Sequence, residues 1–404
     1  MKHTLLYIPF ALLLLLCSCS KEDGEKETLP ARTVIACLAA DNDLWEDALR
    51  SIEEMKAAFT EGGAKLIVFA DIAGEAPCIL EISSNTATTV KVYPDECNPA
   101  DASQMREILE DITAMYPAGS YGLILWSHAS SWLPAGAQLR SKHEGANARK
   151  HEGRDEAAAS RFRAFVPSRH STAGTALRSF GSDNGVQMNI PELAEALPVR
   201  FDYILFDACL MGSVEVAYEL RQKTNFIVAS SAPTLFTGFP YQAVLPELLS
   251  PRPDLKKVAE GYFNYYQEIM TGVYQSATIS VIDTRELEGL AFATRRVMET
   301  QPFDKAAFDR TSVQRLDSYE EQYVFDFMDF INKSFPEANK SELTGQLTKT
   351  VLYKAHTEKF MNQYEIKAFC GLSCYIPLES RDDLNAYYQQ LGWCRAAGFD
   401  RLFY

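Results

Sequence analysis

Two segments about eighty residues apart carry the side chains best suited to chemistry. Gly122-Leu-Ile-Leu-Trp-Ser-His128 and Phe201-Asp-Tyr-Ile-Leu-Phe-Asp-Ala-Cys209 are short apolar runs of β type, one ending in a histidine and the other in a cysteine. Ligands and reactive groups gather at the carboxyl ends of strands in an open parallel sheet. Two buried strands that finish in His and Cys would bring a base and a thiol to one rim, the pairing a cysteine nucleophile needs. Taken singly, either residue reads as ordinary packing; the pairing is what points to chemistry. Of the other histidines, His3 lies near the N-terminus, His143, His151 and His170 in a polar stretch, and His356 in a helical pattern.

The elements around these segments alternate. Thr33–Ala39 and Lys65–Ala70 are β-type runs, and Leu44–Phe59 between them has apolar residues at helical spacing. Residues 78–93 read as a hairpin. Ser103–Tyr116, Ile190–Leu197 and Met211–Arg221 read as helices, and Tyr203–Phe206 and Phe226–Ala229 as strands. This alternation predicts an α/β fold with a mainly parallel central sheet covered on both faces. Beyond a boundary near Ser250-Pro-Arg-Pro253 the chain turns helix-richer. Helices are expected at Leu255–Thr271, Glu286–Thr300, Gln314–Ile331 and Leu343–Lys359, with β-like runs at Ala277–Ile282 and Leu372–Ile376 completing the sheet. A helix starting near Met211 would also put Cys209 at a helix N-terminus, where the dipole favours thiolate.

The N-terminus reads as a targeting device. Met1-Lys-His is followed by an apolar stretch from Leu5 to Leu16, too short to span a bilayer. It ends in Leu16-Cys-Ser-Cys19, which resembles a lipobox, so residues 1–18 are expected to be a lipoprotein signal peptide with Cys19 lipidated. A plain secretory signal is the alternative. Residues 19–31 then form the lipidated cysteine and a flexible tether. Ser20-Lys-Glu-Asp23 resembles a surface-export tag, so the expected location is the cell envelope, anchored to the outer membrane and facing outward. Acyl chains attach a protein without a spanning helix.

At 404 residues, 47% hydrophobic and 23% charged, the chain has an ordinary globular composition. Its net charge of −15 argues against nucleic acid, which needs a basic face. Residues 135–180 reverse that sign locally, with nine Lys/Arg against four Asp/Glu and no apolar periodicity. They predict an exposed basic insertion, cut easily after Arg or Lys. Nine cysteines include Cys17 and Cys19; the other seven are an odd number, so at least one thiol is free or pairs between chains. Cys370-Gly-Leu-Ser-Cys374 has no cluster of His or Cys nearby to make a metal site with it, and neither a metal nor a cofactor is expected.

Four blocks together resemble the clostripain (C11) cysteine peptidases of the caspase-like clan. They are Ala39-Ala-Asp-Asn-Asp43-Leu, Leu123-Ile-Leu-Trp-Ser-His128, Phe206-Asp-Ala-Cys-Leu-Met211 with Glu215-Val-Ala-Tyr218, and Gly371-Leu-Ser-Cys-Tyr-Ile-Pro377. The resemblance implies a caspase-like αβα sandwich, with residues 32–250 as catalytic core and 251–404 as the helix-rich part. It implies hydrolysis of peptide bonds after Arg or Lys by a dyad of His128 and Cys209. The backbone N–H groups of Ala129 and Cys209 would form the oxyanion hole, and Asp207 would pair with a basic P1 side chain. Activation would come by self-cleavage within 140–178, with Arg149, Lys150, Arg154, Arg161 and Arg163 as sites. The partners expected are peptide or protein substrates.

Two departures stand out. Ala129 replaces the family's usual Gly, which leaves its N–H in place. Ser230-Ser-Ala-Pro-Thr-Leu-Phe-Thr-Gly238 lacks the acidic residues the family carries there, so a neutral P1 residue is an alternative. A second class of function also stays open: a non-catalytic surface lipoprotein that binds peptides or partners on the same fold.

Overall fold

Nine strands form one sheet in the order β12-β10-β9-β8-β5-β1-β2-β3-β4 in the computed structural model, which describes residues 29–137 and 180–403. The five central strands run parallel: β1 (Arg32–Ala40), β2 (Ala64–Ile72), β5 (Tyr121–Trp126), β8 (Phe201–Asp207) and β9 (Thr224–Ala229). Most of their residues are buried, which fits their near-continuous apolar sequences. β3 (Cys78–Ser83) and β4 (Thr86–Val92) extend one side antiparallel, and β10 (Thr278–Asp283) and β12 (Val351–His356) extend the other.

Helices cover both faces. In one layer α1 (Trp45–Ala58) packs on α5 (Tyr241–Leu248), and α5 on α6 (Leu255–Asn264). In the other, α2 (Ala102–Met115) packs on α3 (Ile190–Ala196), and α3 on α4 (Val214–Leu220). That layer continues through the helix Gly392–Ala397 to α7 (Leu287–Thr300). This is the αβα sandwich expected from the alternation.

The register of β5 against β8 is set by size complementarity. Gly122 lies opposite Tyr203, and a Cβ at Gly122 would fall 2.3 Å from the Tyr203 ring. The Tyr203 hydroxyl donates to the Leu248 carbonyl at 2.9 Å, which fixes the ring across the strand. A slip of one residue would put that ring on the other face of the sheet. The same register pairs Trp126 with Asp207. His128 and Cys209 are therefore each two residues past a matched position on neighbouring strands, whose backbones lie about 4.8 Å apart.

Three sequence expectations need correction. Gln314–Ile331 is not one helix: it is a loop, a two-residue strand β11 (Phe325–Asp326) and the start of α8 (Phe327–Ser334). Buried Asp317 accepts the N–H groups of Tyr319, Tyr323 and Val324 there, which replaces helical hydrogen bonding with a capped loop. Leu343–Lys359 splits into α9 (Ser341–Thr350) and the edge strand β12. The run Leu372–Ile376 contributes only Ser373–Cys374, paired with β11 outside the main sheet, which β10 and β12 complete instead. Residues 1–28, with Cys19, and 138–179, with the processing sites Arg149, Lys150, Arg154, Arg161 and Arg163, lie outside the described residues.

Candidate active site

Four strand ends meet at the carboxyl rim of the parallel sheet. β1 leads into Asp41-Asn42-Asp43, β5 into Ser127-His128-Ala129, β8 into Ala208-Cys209-Leu210, and β9 into Ser230–Thr234. His128 is 5% exposed, and its Nε2 lies 2.9 Å from Asp43 Oδ1. Asp43 is half-exposed and 85 residues away in sequence, in a block quoted above for its resemblance but given no role. The histidine's turn is held by backbone. The His128 carbonyl accepts the Gly181 N–H at 3.0 Å, and Ala129 pairs with Phe180. Ser127 Oγ donates to the Ala39 carbonyl at 2.8 Å and accepts the Ser182 N–H. The hairpin β6 (Phe180–Asp183) and β7 (Val186–Met188), which follows residues 138–179, thus clasps the turn that carries His128.

Cys209 is 7% exposed. Its sulfur accepts the Thr234 N–H at 3.3 Å and donates to the Thr234 carbonyl at 3.5 Å. Burial pushes the thiol up to about 11, the Thr234 N–H opposes that shift, and the Asp207 charge adds to it. That shift favours the protonated thiol, so a nucleophilic role for Cys209 would call for a base. Leu210, next in the chain, has φ 66°. That left-handed backbone costs about 1–3 kcal/mol for a non-glycine residue. The Leu210 N–H to Ala232 carbonyl bond, at 3.0 Å, and the Gly212 N–H to Ser230 carbonyl bond, at 2.8 Å, hold it.

The expected helix-dipole assistance is not present. α4 begins at Val214, capped by Ser213 Oγ on the Val216 N–H, so a turn separates Cys209 from the helix. Leu210 and Met211 gave the sequence its helical look because both are buried in that turn.

Asp207 is 5% exposed, and its Oδ2 accepts the Phe239 N–H at 3.1 Å and the Tyr241 hydroxyl at 2.9 Å. Burial raises its carboxyl to about 6 against the effect of those two donors. Gly238, at φ 61°, passes so close that a Cβ there would lie 2.6 Å from Oδ2. Arg50 of α1 ties down the neighbouring segment by donating to the Phe236 carbonyl at 3.0 Å. All seven described cysteines are free thiols, including Cys370 and Cys374.

A buried thiol and a carboxylate-held imidazole at adjacent strand ends of an αβα sandwich define a cysteine peptidase of caspase-like architecture. The chain belongs to the clostripain family, whose model matches residues 36–145 and 169–394. The unmatched 146–168 fall within the basic insertion. Among solved structures, the chain is similar to an inactive zymogen C11 protease from Parabacteroides distasonis. The two are 26% identical with a TM-score of 0.72, covering 92% of this chain and 99% of that one. A secreted C11 cysteine protease from Bacteroides thetaiotaomicron, bound to an irreversible peptide inhibitor, matches with the same identity, coverage and TM-score. No curated protein matches the chain.

Proposed function

We propose that Cys209 is the nucleophile and His128 the general acid–base of this cysteine peptidase. The observation that supports this most is the β5–β8 register, which pairs Trp126 with Asp207, so that His128 and Cys209 each follow two residues beyond the last matched pair at the same end of neighbouring strands. His128 takes the Cys209 proton, and the sulfur attacks the scissile carbonyl. The tetrahedral oxyanion is held by the N–H groups of Ala129 and Cys209. It collapses with His128 protonating the leaving amine, and water activated by His128 then hydrolyses the thioester. Asp43 orients the imidazole.

Asp207 is the residue we assign to a basic P1 side chain. The Phe239 N–H and the Tyr241 hydroxyl both donate to Oδ2, so Oδ1 is the oxygen to meet a lysine or arginine head group. A neutral P1 is the second reading, favoured by the enclosure of Asp207 behind Gly238 and Tyr241 and by the lack of any other carboxylate in 230–238. A P1-diverse peptide library read by mass spectrometry decides between them. Cleavage after Arg or Lys that Asp207→Asn abolishes supports the first, and cysteine-dependent cleavage after neutral residues supports the second.

Activation by self-cleavage within 140–178 also belongs to this proposal. The described ends of that stretch are anchored. The Ala135 N–H donates to Asn189 Oδ1 and the Gly136 N–H to Gln187 Oε1, both at 2.9 Å. β8 of the second fragment would remain paired with β5 of the first. The cut protein is therefore expected to run as two chains on a denaturing gel and as one species on native size exclusion. Fragments that separate without denaturant would contradict this.

Among the described residues no helix is long and apolar enough to cross a membrane. We assign attachment to lipidated Cys19, on the outward face of the outer membrane.

A further inference from the structure

Beside the active site lies a buried pair of carboxyl groups that the mechanism above does not use. Asp71, near the end of β2, sits opposite Ala39 of β1 and is 5% exposed. Asp183, at the end of β6, is 1% exposed. Asp183 Oδ1 accepts the Asp41 N–H at 2.8 Å, while its Oδ2 is buried with no ordinary donor. A buried carboxylate oxygen without a donor is a costly arrangement. Asp71 lies opposite Ala39 and Asp183 is bonded to the Asp41 N–H two residues on, which brings the two carboxyl groups close enough to interact.

We propose that Asp71 and Asp183 share one proton, Asp71 donating to Asp183 Oδ2, and that this pair positions Asp43, and through it His128, by locking β6 onto the Asp41–Asp43 turn. The lock has further parts. Asn42 Nδ2 donates to the Ser182 carbonyl at 2.5 Å, the Asn184 N–H to the Asp41 carbonyl at 3.0 Å, and Asn98 Nδ2 to the Asp183 carbonyl at 2.9 Å. Removing the shared proton leaves two buried anions facing each other in the middle of that lock.

Burial raises the Asp71 carboxyl far above the usual carboxylate range, and the hydrogen bond and charge of Asp183 add to it. Burial raises Asp183 as well, opposed by its hydrogen bonds to Asp71 and to the Asp41 N–H. The other titratable groups facing the pair are Asp41 from the turn, Cys37 on β1, Cys78 on β3 and Cys97 ahead of α2. Their charges, where present, are negative and favour the proton further.

The sign of the linkage follows. The folded state holds a proton that the unfolded chain releases above the usual carboxylate range, so this group's contribution to stability falls as pH rises through that window. Asp71→Asn supplies a permanent neutral donor and escapes the loss. It is expected to melt higher than wild type at neutral pH, by roughly 2 °C or more, with the gain growing as pH rises. Its kcat/KM is expected to hold further into alkaline pH, while KM at neutral pH is unchanged. Asp71→Ala, which leaves Asp183 Oδ2 without a donor, is expected to melt lower and to lose kcat.

The infrared difference between wild type and Asp71→Asn at neutral pH should show the C=O stretch of a protonated carboxyl. The effect on kcat rests on His128 acting as the base; the melting and infrared readouts do not, so the two can fail separately. An Asp71→Asn protein that melts at or below wild type across the pH range, with no protonated-carboxyl band, would overturn the proposal. So would a wild-type melting point that a chelator lowers while leaving Asp71→Asn unmoved, since a cation would then hold the pair together.

Discussion

Cys209→Ala and His128→Ala are each expected to lower kcat by about 10⁴-fold or more, and the double variant by no more than the worse single one. On the proposed mechanism the two act as a unit: burial pushes the thiol up to about 11, so the thiolate depends on His128 taking the proton, and losing either residue removes the same step. Neither change disturbs the sheet. Cys209 contributes a small side chain to a turn fixed by backbone bonds at Leu210 and Gly212, and the His128 turn is held through its carbonyl and through Ser127. Melting temperatures within a few degrees of wild type would show that the loss is chemical. Additive losses, with the double variant far below either single one, would mean that the residues act independently.

Asp43→Ala should produce the next largest effect on turnover, a fall in kcat of about 10–100-fold with KM unchanged. A carboxylate that holds a catalytic imidazole in one orientation is worth up to about 10⁴-fold when it is buried. Asp43 has 46% of its side chain exposed, so solvent screens its charge and the smaller figure applies. Asp43→Asn keeps an acceptor at the same place and is expected to recover part of the loss. Steady-state kinetics on one peptide substrate separates the terms. A change confined to KM would place Asp43 in substrate binding rather than in orientation of His128.

The parts of this molecule that were legible in its sequence are those set by local pattern. β5 and β8 announce themselves as apolar runs that stop at a polar, reactive residue, and their burial in a parallel sheet follows from that composition. The helical layers follow from spacing, as in α1 with Ala48, Ile52 and Met55 buried on one side. What stayed illegible depends on contacts far apart in sequence. Val351–His356 is a half-buried edge strand directly after α9, and nothing in its own residues marks where the helix stops. The loop at 314–324 has apolar residues enough for a helix, but one buried carboxylate, Asp317, gathers its N–H groups instead.

The same reasoning applies within the site. His128 and Cys209 could be read from strand ends, whereas the pairing of Asp43 with His128 and the engagement of Asp207 by Phe239 and Tyr241 are tertiary contacts across 85, 32 and 34 residues. Asp43 lies in the Ala39–Leu44 block, where nothing local marks it as a partner of His128. Cys209's environment also differs from the sequence reading, because the apolar residues after it pack a turn rather than open a helix. On the proposed mechanism its reactivity therefore comes from His128 rather than from a helix dipole.

The most direct test of the central claim is intact-mass and peptide-level mass spectrometry after treatment with a peptide ketone that alkylates catalytic thiols. One adduct per chain is expected, on Cys209, lost in His128→Ala and blocked by excess peptide substrate. Cys37, Cys78, Cys97, Cys370, Cys374 and Cys394 should remain unlabelled. Peptide hydrolysis that continues with Cys209 fully alkylated, or an adduct that forms equally well without His128, would contradict it.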